Sequence, residues 1–516
     1  MRVRSIRSRF GPEPICVVLG AETAAAFSRL LKRAGKQAKI LELRLDYLAN
    51  SEETLRFLDS LRGKRRRARL IATCRSRRAG GRFGGSIQAQ LATLQLAAES
   101  GCDWVDLEIE SAIRIPPPVL QGVVGRAHWI LSYHNFKEVP NNVEMIASEL
   151  VHFPGRDVVK VAARANSFTD WMRLLDLARK RIITVPMGEP GLPGRVLALR
   201  AGSPLAYASW DEPRLHRGEQ PMAPGQLSYR EMSRVYRAHR LDRRTRLYGV
   251  IGSPGAAGHS LSPVMQNAAF QARRMNAAYL PFAVDDLARF IEAIPRLGLA
   301  GFSVTIPHKE TLVRYLDDCD LVAARIGAVN TVVVRGGGQL YGYNTDYVGV
   351  LRPLERLITL KKSRVCVLGA GGAARAVVWA LKSAGVDVAI VSRRAEKAKK
   401  LARAAGAAAI PRSALRHLFF DAIVNATPVG MHPDERACPL ARQELNCHVV
   451  FDLVYQPRET ALLRMARREG KKIVPGWEML VEQGAAQFEI WTGTRAPVKV
   501  MRNAVLEALR REETRR

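Results

Sequence analysis

The stretch ILELRLD, Ile40–Asp46, alternates leucine with charge, so that Glu42, Arg44 and Asp46 take every second position. On an extended strand alternate residues share a face, which sends the charges one way and the leucines the other. Such a strand fits where helices cover the apolar outside and the charged face looks into an interior. Seven more short apolar runs continue the theme: Ile15–Leu19, Leu70–Thr73, Trp104–Ile109, Trp129–His134, Val158–Ala162, Ile182–Met187 and Leu205–Ser209. Between them, segments such as AETAAAFSRLLKRAGKQ and SIQAQLATLQLAAESG carry apolar residues at helical spacing and end near glycine. Eight strand–helix units in about 200 residues predict a closed (β/α)8 barrel better than an open sheet.

In that fold chemistry collects where strands end and loops begin. Arg75 follows the third run, Asp106 and Glu108 alternate on the fourth, His134 ends the fifth and Lys160 lies within the sixth. Buried charges need partners, and a constellation of them is how an active site reads in sequence. Lys160 has a bland reading, a charge satisfied by Glu42, Asp106 or Glu108. The functional reading is a nucleophilic amine, its pKa lowered by desolvation and by nearby Arg44 and Arg75, able to form a Schiff base with a ketone. His134 on the adjacent strand favours the second.

From about Asp211 to Arg246 the strand pattern stops, Pro, Gly and Arg accumulate, and HRLDRRTR reads as a solvated connector. A second αβ pattern opens with LYGVIGSP and runs to Asp346, and a third opens with RVCVLGAGGAARAVVWAL. The closing helices, from MLVEQGAAQFEIWTG onward, are expected to return to the second unit. That unit presents Ser260 and Ser262 before a helix, then Ser303, Thr305 and Lys309, then Asn330, then Asn344 and Asp346. Singly these are turn and cap residues; together they suit a polyhydroxylated small molecule, with Lys309 and Asp346 available for proton transfer.

In the third unit Gly369, Gly371 and Gly372 follow a strand and open a helix, letting backbone amides approach a pyrophosphate. The turn GAGGAA departs from GxGxxG by carrying Ala374 at the third glycine, so its context has to support it. About 20 residues on, where an NAD enzyme usually carries an acid, stand Ser392, Arg393 and Arg394. Two arginines suit a ribose 2′-phosphate, which points to NADP rather than NAD.

The chain has 516 residues, 47% of them hydrophobic, enough for about three packed units and incompatible with whole-chain disorder, collagen or coiled coil. Every apolar run is cut short of the roughly 20 residues a membrane helix needs, so no membrane partner is expected. Seven cysteines without a CxxC pair speak against a disulfide framework and against a structural zinc, and point to a cytoplasmic protein with no metal. The start, MRVRSIRSRF, reads as a short basic arm of solvated arginines. The net charge of +32 and clusters such as Lys64–Arg67 and Arg243–Arg246 favour phosphate, yet they carry no interleaved aromatics and no nucleic-acid motif. No dedicated nucleic-acid partner is expected; the positive field serves small anionic substrates equally well.

On these residues the sequence resembles a fused type I 3-dehydroquinate dehydratase and shikimate dehydrogenase. The first half matches at ELRLD, TCR, DLE, SYHNF, VVKVA, GLPGR and APGQ; the second at HSLSP, FSVTIPHK, GAVNTV, GYNTD, VLGAGGAARA, NATPVGM, DLVY and GWEMLVEQGAAQFEIWTG. The resemblance implies a dehydratase barrel over residues 1–235 and a basic linker over 236–246. It further implies a shikimate-binding domain over 247–352, completed by 480–512, and an NADP-binding Rossmann-like domain over 353–479. It implies that Lys160 forms the imine and His134 is the acid and base. Arg195 would hold the substrate carboxylate, while Glu42, Arg44, Arg75 and Gln226 orient hydroxyls and carbonyl. In the second half it implies Lys309 and Asp346 as the catalytic pair, with Ser260, Ser262, Thr305, Asn330, Tyr455 and Gln483 on the substrate. Gly369, Ala370, Gly371, Gly372, Ala373, Ser392, Arg393, Arg394, Asn425, Thr427, Leu453 and Gly476 would line the NADP. The implied small molecules are 3-dehydroquinate, 3-dehydroshikimate and shikimate.

Four positions depart from the family pattern. Ala79 stands where an acid is common, Met222 where a serine is common, Gln266 for a usual His and Ser303 for a common Asn. The first two remove polar groups near the imine and keep a second reading open, a barrel that binds without catalysing beside an active dehydrogenase. A quinate dehydrogenase is the other alternative, disfavoured by the paired serines with Thr305.

Overall fold

The structure, a computed structural model, describes residues 9–515 other than 65, 126, 180, 211–224 and 259. The chain divides into two compact units. One comprises the chain up to Thr245 with Ser253–Gly258 and Leu280–Phe290, and the other comprises the rest.

Eight parallel strands form the first unit: β1 (Ile15–Leu19), β2 (Ile40–Arg44), β3 (Arg69–Thr73), β4 (Trp104–Glu108), β5 (His128–Asn135), β6 (Val158–Arg164), β7 (Ile182–Met187) and β8 (Ala206–Ser209). Their order is β7-β6-β5-β4-β3-β2-β1-β8, so β1 pairs both β2 and β8 and the ring is nearly closed, its seam between β7 and β8. This is the expected (β/α)8 architecture. The intervening helices start where short polar side chains cap them: Thr23, Asn50, Ser86 and Ser167 each accept a backbone N–H of the first turn.

On four strands the inward row begins apolar and turns polar: Ile40, Glu42 and Arg44 on β2; Trp104, Asp106 and Glu108 on β4; Ile130, Ser132 and His134 on β5; Val158 and Lys160 on β6. The apolar beginnings, with Cys16, Ile71 and Ile183, form a continuous core at the strands' N-terminal end. The charges are thereby confined to the C-terminal end, above a dry floor. Phe10 joins that floor, 2% exposed and stacked on Trp104 at 4.5 Å, while Arg9 donates to Asp157 at 2.7 Å. The end of the expected solvated arm is therefore packed, because its one aromatic residue covers the barrel floor; residues 1–8 lie outside the described residues.

Of the expected solvated connector, residues 211–224 lie outside the described residues, and the part just before HRLDRRTR is folded. Residues 231–235 and 238–240 form short helical turns, and Tyr236, Ala238 and Leu241 are buried in the first unit. In HRLDRRTR itself Arg240, Asp242, Arg243, Arg244 and Arg246 are exposed, as expected, while Leu241 and Thr245 are buried.

Two further sheets follow the barrel in the chain. The first has the order β10-β9-β11-β13-β14-β12, where β9 is Arg246–Gly252, β10 Ala277–Ala283, β11 Leu299–Val304, β12 Asp318–Cys319, β13 Thr331–Val334 and β14 Leu340–Tyr343. The other is fully parallel, with the order β17-β16-β15-β18-β19-β20, where β15 is Arg364–Leu368, β16 Asp387–Val391, β17 Ala408–Ala409, β18 Phe420–Asn425, β19 Cys447–Asp452 and β20 Lys472–Pro475. That order is the doubly wound dinucleotide topology, whose direction of winding reverses between β15 and β18. The closing helices Gly476–Thr492 and Val498–Arg515 return as expected: Phe488, Trp491, Met501 and Val505 share one core with Tyr248 and Val250 of β9 and with Met265 and Phe270. No described helix is long and apolar enough to cross a membrane.

Candidate active sites

At the C-terminal end of the barrel, Glu42, Arg44, Arg75, His134, Lys160, Arg195 and Gln226 line one pocket. Every residue expected in the first site is brought together there. Lys160 Nζ lies 2.5 Å from Asp106 Oδ2 and 3.7 Å from Glu42 Oε1, with the Tyr207 ring 4.8 Å away. Asp106 Oδ1 accepts from Arg75 at 2.6 Å and from Ser132 Oγ at 2.7 Å, and Arg75 also donates to Ser132 at 2.7 Å. Glu108, at the C-terminal end of β4, extends the network, accepting from Gln90 Nε2 at 2.8 Å and from Arg75 Nη1 at 3.4 Å. The structure thus joins both readings of Lys160: it faces the pocket and is ion-paired. Burial alone would raise the Asp106 carboxyl, but Arg75 and Lys160 outweigh it and hold it well below the ordinary carboxylate range. His134 is pushed well below 6.5, first by burial and then by the charges of Arg75 and Lys160, so its imidazole is neutral at neutral pH.

The expectation for Arg44 and Asp46 needs one correction. The strand ends at Arg44, and Asp46 sits in a short helical turn over Leu45–Tyr47 instead of continuing the inward row. It still meets Arg44, accepting from Nε at 2.8 Å and Nη2 at 2.7 Å, a bidentate clamp that fixes the guanidinium at the pocket wall. Arg195 is 3% exposed, and burial pushes its guanidinium down to about 10, an environment that favours an arriving carboxylate. Gln226 lines the pocket, and its Oε1 is buried with no hydrogen-bond partner among the described residues. Ala79 is buried beside Gly80 and Phe136, making this part of the wall apolar. Met222 lies outside the described residues. Ser132 and Tyr207 are pocket and network residues that the sequence reading missed; each sits in an inward position on a counted strand.

In the second unit Lys309 Nζ lies 2.6 Å from Asp346 Oδ2, and Asn330 Nδ2 donates to Asp346 Oδ1 at 2.8 Å. Asp346 opens the helix Asp346–Glu355, where the helix dipole favours its negative charge. Asn330 Oδ1 accepts from the Thr345 amide at 2.7 Å and Gln483 Oε1 is 3.4 Å from Nδ2, so these residues form one polar cluster. Ser260 Oγ accepts from the Ser262 amide at 3.2 Å, and Thr305 is tied to β9 through its amide and the Ile251 carbonyl at 2.9 Å. Tyr455 is partly buried against the core formed with the closing helices. Asn344 turns out to be a bracing residue, accepting from the Asp346 amide at 3.1 Å. Ser303 accepts from Tyr279 at 2.6 Å and donates to Gln487 at 2.9 Å, wholly buried. Gln266 donates to the Gly484 carbonyl at 2.9 Å.

Beside the winding reversal, an open cavity is lined by Gly369, Ala370, Gly371, Ser392, Arg393, Arg394 and Thr427. Gly369 has φ +116°, and an added Cβ would stand 3.1 Å from the Ala426 carbonyl; glycine is required there. At Gly371 and Gly372 an added Cβ would meet open space, the room a pyrophosphate needs at the start of the helix Gly372–Ser383. Ala373 lies in the first turn of that helix. Lys397 and Arg412 add two cations to the same wall. Lys397 is four residues after Arg393, a spacing that could have signalled it; Arg412 comes from another segment with no local signal. The residues present therefore fit a phosphorylated dinucleotide. Asn425, expected on the cofactor, is 0% exposed and spends its side chain on Asp452 and Thr427. Leu453 precedes the loop to Tyr455, and Gly476 is packed against the Leu453 carbonyl, 2.4 Å from where a Cβ would stand.

The fold joins a (β/α)8 barrel with a lysine in its pocket to a dinucleotide-dependent α/β dehydrogenase. Family models match in the same order. They are type I 3-dehydroquinase over residues 15–243, shikimate dehydrogenase substrate binding domain over 250–332, shikimate/quinate 5-dehydrogenase over 354–431 and shikimate 5′-dehydrogenase C-terminal domain over 476–506. The chain is 33% identical to the bifunctional 3-dehydroquinate dehydratase/shikimate dehydrogenase, chloroplastic, of Arabidopsis thaliana, over 89% of this chain and 78% of the relative. It is 43% identical to the NADP(+) shikimate dehydrogenase of Methanosarcina acetivorans, over 51% of this chain and 99% of that one. A shikimate 5-dehydrogenase from Thermus thermophilus, solved with NADP(H) and shikimate, is 37% identical over 51% of this chain and all of that chain, with a TM-score of 0.48. The chain belongs to the bifunctional 3-dehydroquinate dehydratase/shikimate dehydrogenase family. It is an enzyme with a lyase half and an NADP-dependent oxidoreductase half.

Proposed function

We propose that the barrel dehydrates 3-dehydroquinate to 3-dehydroshikimate and that the second unit reduces this product to shikimate. Lys160 attacks the ketone carbon, and loss of water leaves an imine that draws electrons from the neighbouring carbon. His134, neutral at neutral pH, accepts the proton from that carbon; the electron pair moves into the imine system, and the ring hydroxyl leaves as water with a proton returned from His134. Hydrolysis of the imine restores Lys160. Asp106 and Arg75 hold the amine in register, Arg195 takes the carboxylate, and Glu42, Arg44 and Gln226 orient the remaining oxygens. The convergence of Lys160, His134 and Arg195 on one pocket at the C-terminal end of the barrel carries this reading.

For the reduction, bound NADPH supplies a hydride to the ketone carbon. Lys309 gives the proton to the oxygen, and Asp346, steadied by Asn330, holds the lysine in place for it. The Lys309 side chain is 32% exposed, which supports reprotonation from water. Ser260, Ser262, Thr305, Tyr455 and Gln483 hold the substrate; Gly371, Gly372, Arg393, Arg394 and Thr427 hold the cofactor. The division of labour follows residues 1–235, 247–352 with 480–512, and 353–479. Seven free cysteines support a reducing, cytoplasmic setting.

The test is NADPH consumption by the purified chain on addition of 3-dehydroquinate, with 3-dehydroshikimate in parallel. Both are expected to be consumed, and Lys160→Ala should abolish only the first. Consumption of 3-dehydroshikimate alone would overturn the barrel assignment, and a preference for quinate oxidation would overturn the second.

A further inference from the structure

Asp452 is a buried carboxylate that the reaction scheme does not use. It is 0% exposed, and among the described residues its partners are neutral donors rather than cations. Oδ1 accepts from Asn425 Nδ2 at 2.8 Å and from the Val454 amide at 3.1 Å; Oδ2 accepts from Thr460 Oγ1 at 2.6 Å. Asn425 and Asp452 face each other in register at the C-terminal ends of β18 and β19. Asn425 in turn accepts through Oδ1 from the Thr427 amide at 3.1 Å and hydroxyl at 2.6 Å, and Thr427 Oγ1 accepts from the Val429 amide at 3.3 Å. Thr427, Pro428 and Val429 form a wall of the dinucleotide cavity, packed directly against Gly369.

On its other side Asp452 starts the segment of Leu453, Val454 and Tyr455, the last of which the proposed function assigns to the substrate, and Thr460 caps the helix Ala461–Arg468. Two loops that would otherwise move separately therefore hang on one carboxylate. Burying a carboxylate without a cation is costly, and here burial lifts it to about 6 against the pull of its donors. A site that only needed packing would be served better by an apolar residue.

We propose that Asp452 is a positioning residue of the dehydrogenase. Through Asn425 and Thr427 it sets the cofactor wall, and through the Val454 amide it sets the segment bearing Tyr455, making the two walls one piece. Asn425 consequently acts on the dinucleotide through Thr427 and not by touching it. The proposal rests on the NADPH and shikimate reading of this site.

The test uses the full chain with Asp452→Ala, Asp452→Asn and Asn425→Ala, reading NADPH affinity by fluorescence, KM for 3-dehydroshikimate, and kcat. Loss of a buried acceptor shared by three donors should weaken NADPH about tenfold and raise KM by a similar factor. At saturation kcat should fall less. Asp452→Asn retains Oδ1 as acceptor and can donate to Thr460, so it should recover most of both. Asn425→Ala placed on Asp452→Ala should add little, because the relay is already cut. Circular dichroism and the melting curve of the dehydrogenase unit serve as the folding reference, and Asp452→Ser gives the same reading if the alanine variant does not fold. Unchanged NADPH affinity and KM in a folded Asp452→Ala variant, or independent multiplying effects of Asn425→Ala and Asp452→Ala, would overturn the relay alone. Wild-type protein that fails to bind NADPH would overturn the underlying reading together with it.

Discussion

Replacing Asp106 with Asn tests whether the barrel site is one electrostatic unit. The carboxylate lies 2.5 Å from Lys160 and 2.6 Å from Arg75, and the three side chains are 0%, 5% and 4% exposed. At an effective dielectric of about 20, a unit pair 2.5 Å apart attracts by about 7 kcal/mol, most of which offsets desolvation. The amide keeps the shape but loses the charge, and its NH2 or its oxygen must now face Lys160 and Arg75 with no anion between them. Removing one partner of a buried pair costs about 3–5 kcal/mol. For a unit of this size each kcal/mol moves the midpoint by about 2–4 °C, so a fall of about 6–20 °C is expected. The assay is residual dehydratase activity after timed heating, beside scanning calorimetry, with shikimate oxidation by the same samples as reference. A fall below about 2 °C would mean that less than about 1 kcal/mol is at stake, and the reasoning from a desolvated triad would fail.

Because His134 titrates well below 6.5, the dehydration rate should hold steady as pH falls through 6.5 and drop only further down; a half-loss at 6.5 or above would contradict a desolvated base. The same depression makes the unfolded state take up its proton first, so this residue's contribution to stability declines as pH falls below about 6.5, measurable by denaturant titration at several pH values. Gly369→Ala should cost about 1–3 kcal/mol of stability through its positive φ, whereas Gly372→Ala should leave the melting temperature alone and weaken NADPH at least about tenfold. Melting curves beside NADPH titration check both, and the reverse pattern would refute the cradle. Neutralising Arg393 and Arg394 together should weaken NADP by about 10-fold to 100-fold and NAD much less; equal losses would reject the 2′-phosphate assignment.

Much of this molecule is legible because its strands obey a two-residue period. ILELRLD places Glu42 and Arg44 on the inner face, and the same alternation locates Asp106, His134 and Lys160. The period cannot say where β2 ends, so alternation alone makes Asp46 a third inward charge when it is the clamp on Arg44. Composition misleads at the edges: MRVRSIRSRF and HRLDRRTR are rich in arginine, but Phe10 in the first and Leu241 in the second are buried. The cofactor wall is legible where it follows one strand, at Gly369–Gly372 and Ser392–Arg394. Arg412 is not, since only tertiary folding brings it there. Asn425 is marked by its motif, but burial assigns its side chain to Asp452.

The register of β1 has a consequence for how each chain is made. One edge of ICVVL is satisfied by β2, some 25 residues on, but the other waits for β8, about 190 residues later. At roughly 5–20 residues per second, that edge stays open on the ribosome for about 10–40 s. An apolar strand with an unpaired edge is a template for pairing with neighbouring chains. Ring closure therefore sets a minimum waiting time for every nascent polypeptide, and crowded polysomes, more than the finished fold, are where this barrel is most exposed to misassembly.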